Sequence, residues 1–263
     1  MGRLAETLGL TNFSSMTSAP FYQDWQFWSA IVATVALLLS QLPPLHILFR
    51  RAGLKCEAFS RIHLTHRIGN PNAQWHLIIE NTGGKPVRVK SIALQFRRNG
   101  SGIITLQAQS YLRTPDAQET VIFTPFRVGQ SEEWAHVINF FNLFSRDDEK
   151  EFRRIDSAMR SDILSKREAL IDKSKDVTTD PRILDQAMAF FNRHFAWEHG
   201  EYEVTLKVTT DNQRADIERP FRFTLLESEC LELRSYTEAY QFGAGVFFNT
   251  PAHTGILVPT SEK

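Results

Sequence analysis

Cysteine is nearly missing from this chain. Cys56 and Cys230 are the only two in 263 residues, too few for a disulfide framework. Net charge is missing too: 30 Lys and Arg balance 30 Asp and Glu. That removes any general attraction to nucleic acid or to an acidic substrate. There is no G-x-S-x-G, no Walker loop and no G-x-G-x-x-G, and Gly243-Ala244-Gly245 is followed by no strand-turn-helix pattern. Internal repeats and low-complexity segments are also lacking. His63-x-x-His66 comes nearest to a metal motif, but on a strand those two side chains face opposite ways. His76, His136, His194 and His199 have no ligand-like spacing. Cys56 lies in a basic stretch, which favours a thiolate, yet no His or Asp partner is in evidence. No catalytic, cofactor or metal residue is therefore assigned.

What is present is one uncharged apolar run, Trp25 to Leu42, followed by Pro43-Pro44 and then Arg50-Arg51. At ~1.5 Å per residue it nearly fills a ~30 Å hydrocarbon core, so the sequence predicts a single transmembrane anchor over residues 25–49. Trp25 and Trp28 would flank it in one headgroup layer, and Arg50 and Arg51 in the other. A cleaved signal peptide and a buried core helix are the competing readings; the flanks and the length count against them. Arg3 alone precedes the run, while Arg50, Arg51, Lys55, Arg61 and Arg67 follow it. By the positive-inside rule the tail of residues 1–24 is extracytoplasmic, and residues 50–263 lie in the cytoplasm below the inner membrane. The lipid bilayer is then one partner.

From Leu54 to Phe126 the apolar period is mostly two. Trp75, Leu77 and Ile79 share a face, and so do Ile92, Leu94 and Phe96. Val87 and Val89 are out of parity with the latter, which predicts a β-bulge near Lys90-Ser91. Asn99-Gly100-Ser101 matches a glycosylation sequon, but Asn-Gly is also the commonest hairpin turn, the preferred reading. Alternation returns at Tyr202, Val204, Leu206 and Val208, then at Phe221, Phe223 and Leu225. Seven strands within 54–126 and 200–226 predict an antiparallel sandwich, mainly β with helical additions.

Glu198-His199-Gly200-Glu201-Tyr202-Glu203-Val204 resembles the acid-x-Gly-x-Tyr-x-Cys start of strand F in immunoglobulin-like domains. The resemblance implies a tyrosine corner at Tyr202, introduced by Gly200, with the hydroxyl returning to nearby backbone. Val204 replaces the Cys, so the inter-sheet disulfide of that family is absent. Trp75 or Trp197 would stand in for its buried Trp. The resemblance covers about half the chain and implies a fold, not a function.

Residues 131–199 read as a helical hairpin insert. Ser131 would cap a first helix carrying Trp134, Val137, Ile138, Phe140, Phe141 and Phe144. Phe152, Ile155, Met159 and Ile163 continue at helical spacing. Asp180-Pro181 opens a second helix. Residues 228–263 read as a short helix and then a loose tail, with Val246-Phe247-Phe248 tucked into the core as the alternative. One reading packs the hairpin on the sandwich; the sharper one, from the number of aromatics, is a docking or oligomerising surface at those of Phe140, Phe144, Phe152 and Phe191 that are exposed. The functional expectation is a non-enzymatic, membrane-anchored protein-interaction or self-assembly module, its partner another protein or its own copies. A membrane effector or sensor and a membrane-tethered enzyme with His or Cys chemistry are the alternatives.

Overall fold

The computed structural model describes residues 25–41, 51–114, 117, 119–172, 175–250 and 253–263. The chain divides into two units, residues 1–49 and 50–263. In the first, the uncharged run forms helix α1, Trp25–Gln41, of 17 residues. That is about 25 Å at ~1.5 Å per residue, short of the ~20 residues a hydrocarbon core requires. Among the described residues no helix is long and apolar enough to cross a membrane. The transmembrane anchor is thus overturned, together with the single-pass inner-membrane placement and its orientation. Trp25 and Trp28 are exposed, as is Arg51. Arg50 and the tail of residues 1–24 lie outside the described residues.

The second unit is built on one sheet of twelve strands, each pairing antiparallel. They are β1 (Leu54–Ala58), β2 (Arg61–Arg67), β3 (Asn70–Asn81), β4 (Val87–Arg98), β5 (Ser101–Leu112), β6 (Thr120–Ile122), β7 (Phe126–Val128), β8 (Glu133–Phe141), β9 (Gly200–Thr210), β10 (Ile217–Leu225), β11 (Ile256–Pro259) and β12 (Ser261–Glu262). The ladder runs β11-β2-β3-β8-β5-β4-β9-β10-β12. Its two ends are neighbours in the chain, with Thr260 alone between them. Because β11 bonds β2 and β12 bonds β10, the sheet curls into a nearly closed barrel with residues 256–262 as its last stave. Arg219 on β10 reinforces this seam by donating to the Cys56 carbonyl on β1 and to the Glu262 carboxylate.

This corrects the seven-stranded immunoglobulin-like sandwich. A sandwich needs two separately bonded sheets, whereas here β4 bonds β5 on one side and β9 on the other without a break. Register shifts between Val89 and Ser91, Phe96 and Arg98, and Ala108 and Ser110 mark irregularities of the kind that bend a sheet toward closure. The first lies at the expected bulge. The Asn99-Gly100 hairpin also forms, with φ of 46° and 75°. Alternate residues of β3 and β9, and of β4 on either side of its bulge, point inward, so Trp75, Leu77, Leu94, Phe96, Val204 and Leu206 are buried in one core.

Residues 133–141 are the plainest departure from the helical reading. They form strand β8, bonded to β3 and to β5. The run Trp134–Phe141 is apolar at both helical and strand periods, and two waiting edges decide between them. Ser131 stands in the turn before it with φ 57°. The helical insert proper is α2 (Arg146–Ala169) and α3 (Pro181–His194). Phe152, Ile155, Met159 and Ile163 of α2 are buried on one face, as are Ala187, Phe190 and Phe191 of α3. The Asp180 carboxylate caps α3 by accepting from the Arg182 N–H, with Pro181 at its first position. Helix α4 (Glu227–Ser235) continues as a 3-10 helix, Tyr236–Phe242, which ends at Gly243. The final residues are not a loose tail: Val246, Ile256 and Val258 are buried.

Candidate functional site

The tyrosine corner forms without the sandwich. Tyr202 is buried, and its hydroxyl donates to the Glu198 carbonyl at 2.8 Å while accepting from the Glu198 N–H at 3.2 Å. Burial pushes this phenol up to about 12. Gly200 precedes it with φ 144° beside the Asn99 side chain. Trp75 and Trp197 are both buried, their indole N–H groups donating to the Phe59 and Thr65 carbonyls.

The four phenylalanines expected at an interaction surface are not exposed. Phe140, Phe152 and Phe191 are buried, and Phe144 is half-buried against the rings of Phe152, Phe190 and His194. The barrel and the α2–α3 hairpin share one apolar cluster that absorbs these rings. The cysteines are no better placed for chemistry. Burial raises the Cys56 thiol to about 12, opposite to the effect of its basic neighbours in sequence. The Cys230 thiol is buried and donates to the Trp197 carbonyl at 3.1 Å.

His63 and His66 diverge on β2. The His63 ring meets the Thr254 carbonyl, whereas the His66 ring meets the Leu233 carbonyl at 2.8 Å. His66 also accepts from the Gly69 N–H at Nδ1, so Nε2 carries the proton and both nitrogens are committed. Its ring packs against Phe191, Phe195 and Tyr236. Burial lowers its pKa to about 4.

Beside His66 the structure opens a cleft of about 390 Å³ between β2, β3 and the segment after the 3-10 helix. The strands supply Thr65, Arg67 and Asn72, and the segment supplies Phe247, Phe248, Asn249 and His253. Thr65 and Asn72 are cross-strand partners, which fixes their spacing. Gly245 also lines the cleft, and a Cβ there would come within 3.1 Å of the His253 and Tyr236-side neighbour Tyr240 rings. His253 lies flat on Tyr236, centroids 4.3 Å apart, and its pKa is lowered by burial. Among the described residues, Thr65, Arg67, Asn72 and His253 spend no side-chain hydrogen bond or ion pair on another residue. The Arg67 guanidinium sits 4.9 Å over the Phe152 ring. Among the described residues no Asp or Glu lines the cleft.

A second hollow, about 430 Å³, lies along the β10 edge beside Pro259–Ser261, but its acids serve local structure. Glu201 accepts from the Thr224 hydroxyl and Glu229 from the Leu226 N–H. Three or more His, Cys, Asp or Glu side chains placed to hold a metal do not occur among the described residues. Sequence reasoning missed the cleft because its residues come from segments about 180 positions apart, with no shared spacing. Arg67 counted only as a flanking charge, and Phe247 only as a residue near the core.

No protein-family model matches the chain, and no curated protein matches it. Among solved structures, a family 123 glycoside hydrolase from Clostridium perfringens is similar over 67% of this chain and 28% of its own, at 11% identity and a TM-score of 0.30. The chain thus spans under a third of that enzyme's length. A protein from Archaeoglobus fulgidus is similar over 66% of this chain and 94% of its own, at 9% identity and a TM-score of 0.25. Neither likeness is close enough to carry an argument about this chain.

Proposed function

We propose that residues 51–263 form a non-enzymatic binding module whose ligand is a small polar molecule seated in the cleft between β2, residues 245–250 and His253. One observation carries this reading: four polar side chains that make no side-chain hydrogen bond or ion pair among the described residues line one cleft. Its volume suits a metabolite rather than a macromolecule. Binding is favoured over catalysis because His253, the cleft imidazole without a side-chain hydrogen bond, has no carboxylate or thiol beside it in the described lining. His66 has both nitrogens bonded, and both thiols are buried. An interaction surface at Phe140, Phe152 and Phe191 has no footing while those rings are core.

The test is a thermal-shift screen of the full chain against small polar metabolites, repeated with Asn72→Trp to fill the cleft. A ligand at ~100 times its Kd stabilises by about 2.7 kcal/mol. In a domain of this size that raises Tm by several degrees. The shift should vanish in Asn72→Trp, while the Tm without ligand stays close to wild type. Shifts that persist in Asn72→Trp would place the ligand elsewhere and end the proposal.

A further inference from the structure

Resting on that reading of the cleft, we infer that its ligand is a small organic anion, a carboxylate or a phosphate ester, anchored by Arg67. The chain as a whole has a formal charge of zero, so a local excess of positive charge is a property of this place and not of the composition. Among the described lining residues Arg67 is the one cation, since burial lowers the pKa of both His66 and His253, and none of them is a carboxylate. Arg67 also borders a smaller hollow of about 210 Å³ that contains Glu149. That acid does not neutralise it, because Glu149 is bonded to Arg153 at 2.6 Å on the next turn of α2.

A second guanidinium stands close by. Arg160 of α2 lies 5.5 Å over the ring of Phe247, the residue that forms one wall of the cleft. Neither Arg67 nor Arg160 has an ion pair among the described residues. An ion held at Arg67 would therefore meet no carboxylate among the described lining residues. Arg67 presents the planar fork that matches carboxylate and phosphate oxygens in pairs. Thr65, Asn72 and His253 offer the single hydrogen bonds that set orientation. Phe247 and Phe248 give an apolar wall for the body of the ligand. His66 is excluded from direct contact by its two existing bonds; it holds the wall in place.

The experiment follows the backbone amides of residues 65–70, 72, 245–250 and 253 by NMR in the labelled full chain. The probes are inorganic phosphate, acetate, glucose and glucose 6-phosphate. Phosphate and glucose 6-phosphate should shift these amides, the ester at lower concentration because its sugar meets the aromatic wall. Acetate shifting them as strongly as phosphate would name a carboxylate ligand, still within the inference. Arg67→Gln should weaken anion binding at least tenfold, and Arg67→Lys less, since it keeps the charge but loses the fork. Raised salt should weaken it too. Glucose shifting the same amides, undiminished in Arg67→Gln, would keep the cleft as a binding site and overturn the anion. Amides unmoved by all four probes would overturn both readings. Thermal unfolding of each variant checks that Arg67 was not needed for the fold.

Discussion

At the scale of single residues, Tyr202 and His66 show how a buried polar atom sets an energy. The Tyr202 hydroxyl has two bonds to the Glu198 backbone, so Tyr202→Phe should cost about 1 kcal/mol and lower Tm by ~2–4 °C. An unchanged Tm by calorimetry would show that those bonds are worth nothing. His66 makes stability depend on pH. Its folded pKa is about 4, below the ~6.5 expected unfolded, so the unfolded state binds the proton first. Stability is complete above the unfolded value and is lost as pH falls from there towards the folded one. Between about pH 7.5 and 5 the loss should be roughly 2 kcal/mol. Urea titrations at both pH values should show that loss, and His66→Gln should remove most of it. Gly69 belongs to the same corner: at φ 90°, with a Cβ position 2.6 Å from the Phe191 carbonyl, Gly69→Ala pushes the β2–β3 turn off α3. The tyrosine corner was legible in the sequence because it is local. The neutral state of His66 was not, since Leu233 and Tyr236 are distant along the chain.

At the scale of elements, α2 and α3 are a structural cover on the barrel. Phe190 is buried between Phe144, Phe152 and His194, so Phe190→Ala should cost about 3–5 kcal/mol. Denaturant unfolding measures it; a loss under 1 kcal/mol would mean that the hairpin is only loosely attached. The Asp162 carboxylate joins the two helices, accepting from Lys166, the Thr179 hydroxyl and the Asp180 N–H. Those bonds hold its pKa below the ordinary value, the Lys166 bond foremost. Asp162→Ala should therefore speed hydrogen exchange at the start of α3 before it affects the barrel. The spacing of α2 and the Asp180-Pro181 start of α3 could be read directly, since caps and periodicity are properties of neighbours. Strand β8 could not, because the same apolar residues suit either period until β3 and β5 supply partners.

At the scale of the whole barrel unit, residues 256–262 decide the architecture. They bond β2 with one half and β10 with the other, and Arg219 ties the seam. Val258 is fully buried there, so Val258→Asp should open the barrel and abolish a single cooperative transition, monitored by near-UV circular dichroism. A native spectrum in that variant would show that the last stave is dispensable. The sequence by itself determined what depends on neighbours along the chain: the alternation of β3, β4 and β9, the bulge after Val89, the Asn99-Gly100 hairpin, the cap of α3 and the corner at Tyr202. Only the tertiary structure decided that the sheet is one barrel rather than two layers, that Phe140, Phe152 and Phe191 are core, and that Arg67 and His253 share a cleft. The physical reason is that strand order, burial and the convergence of side chains are contacts between segments far apart in sequence. A period of two dictates which way a side chain points, but not which strand receives it.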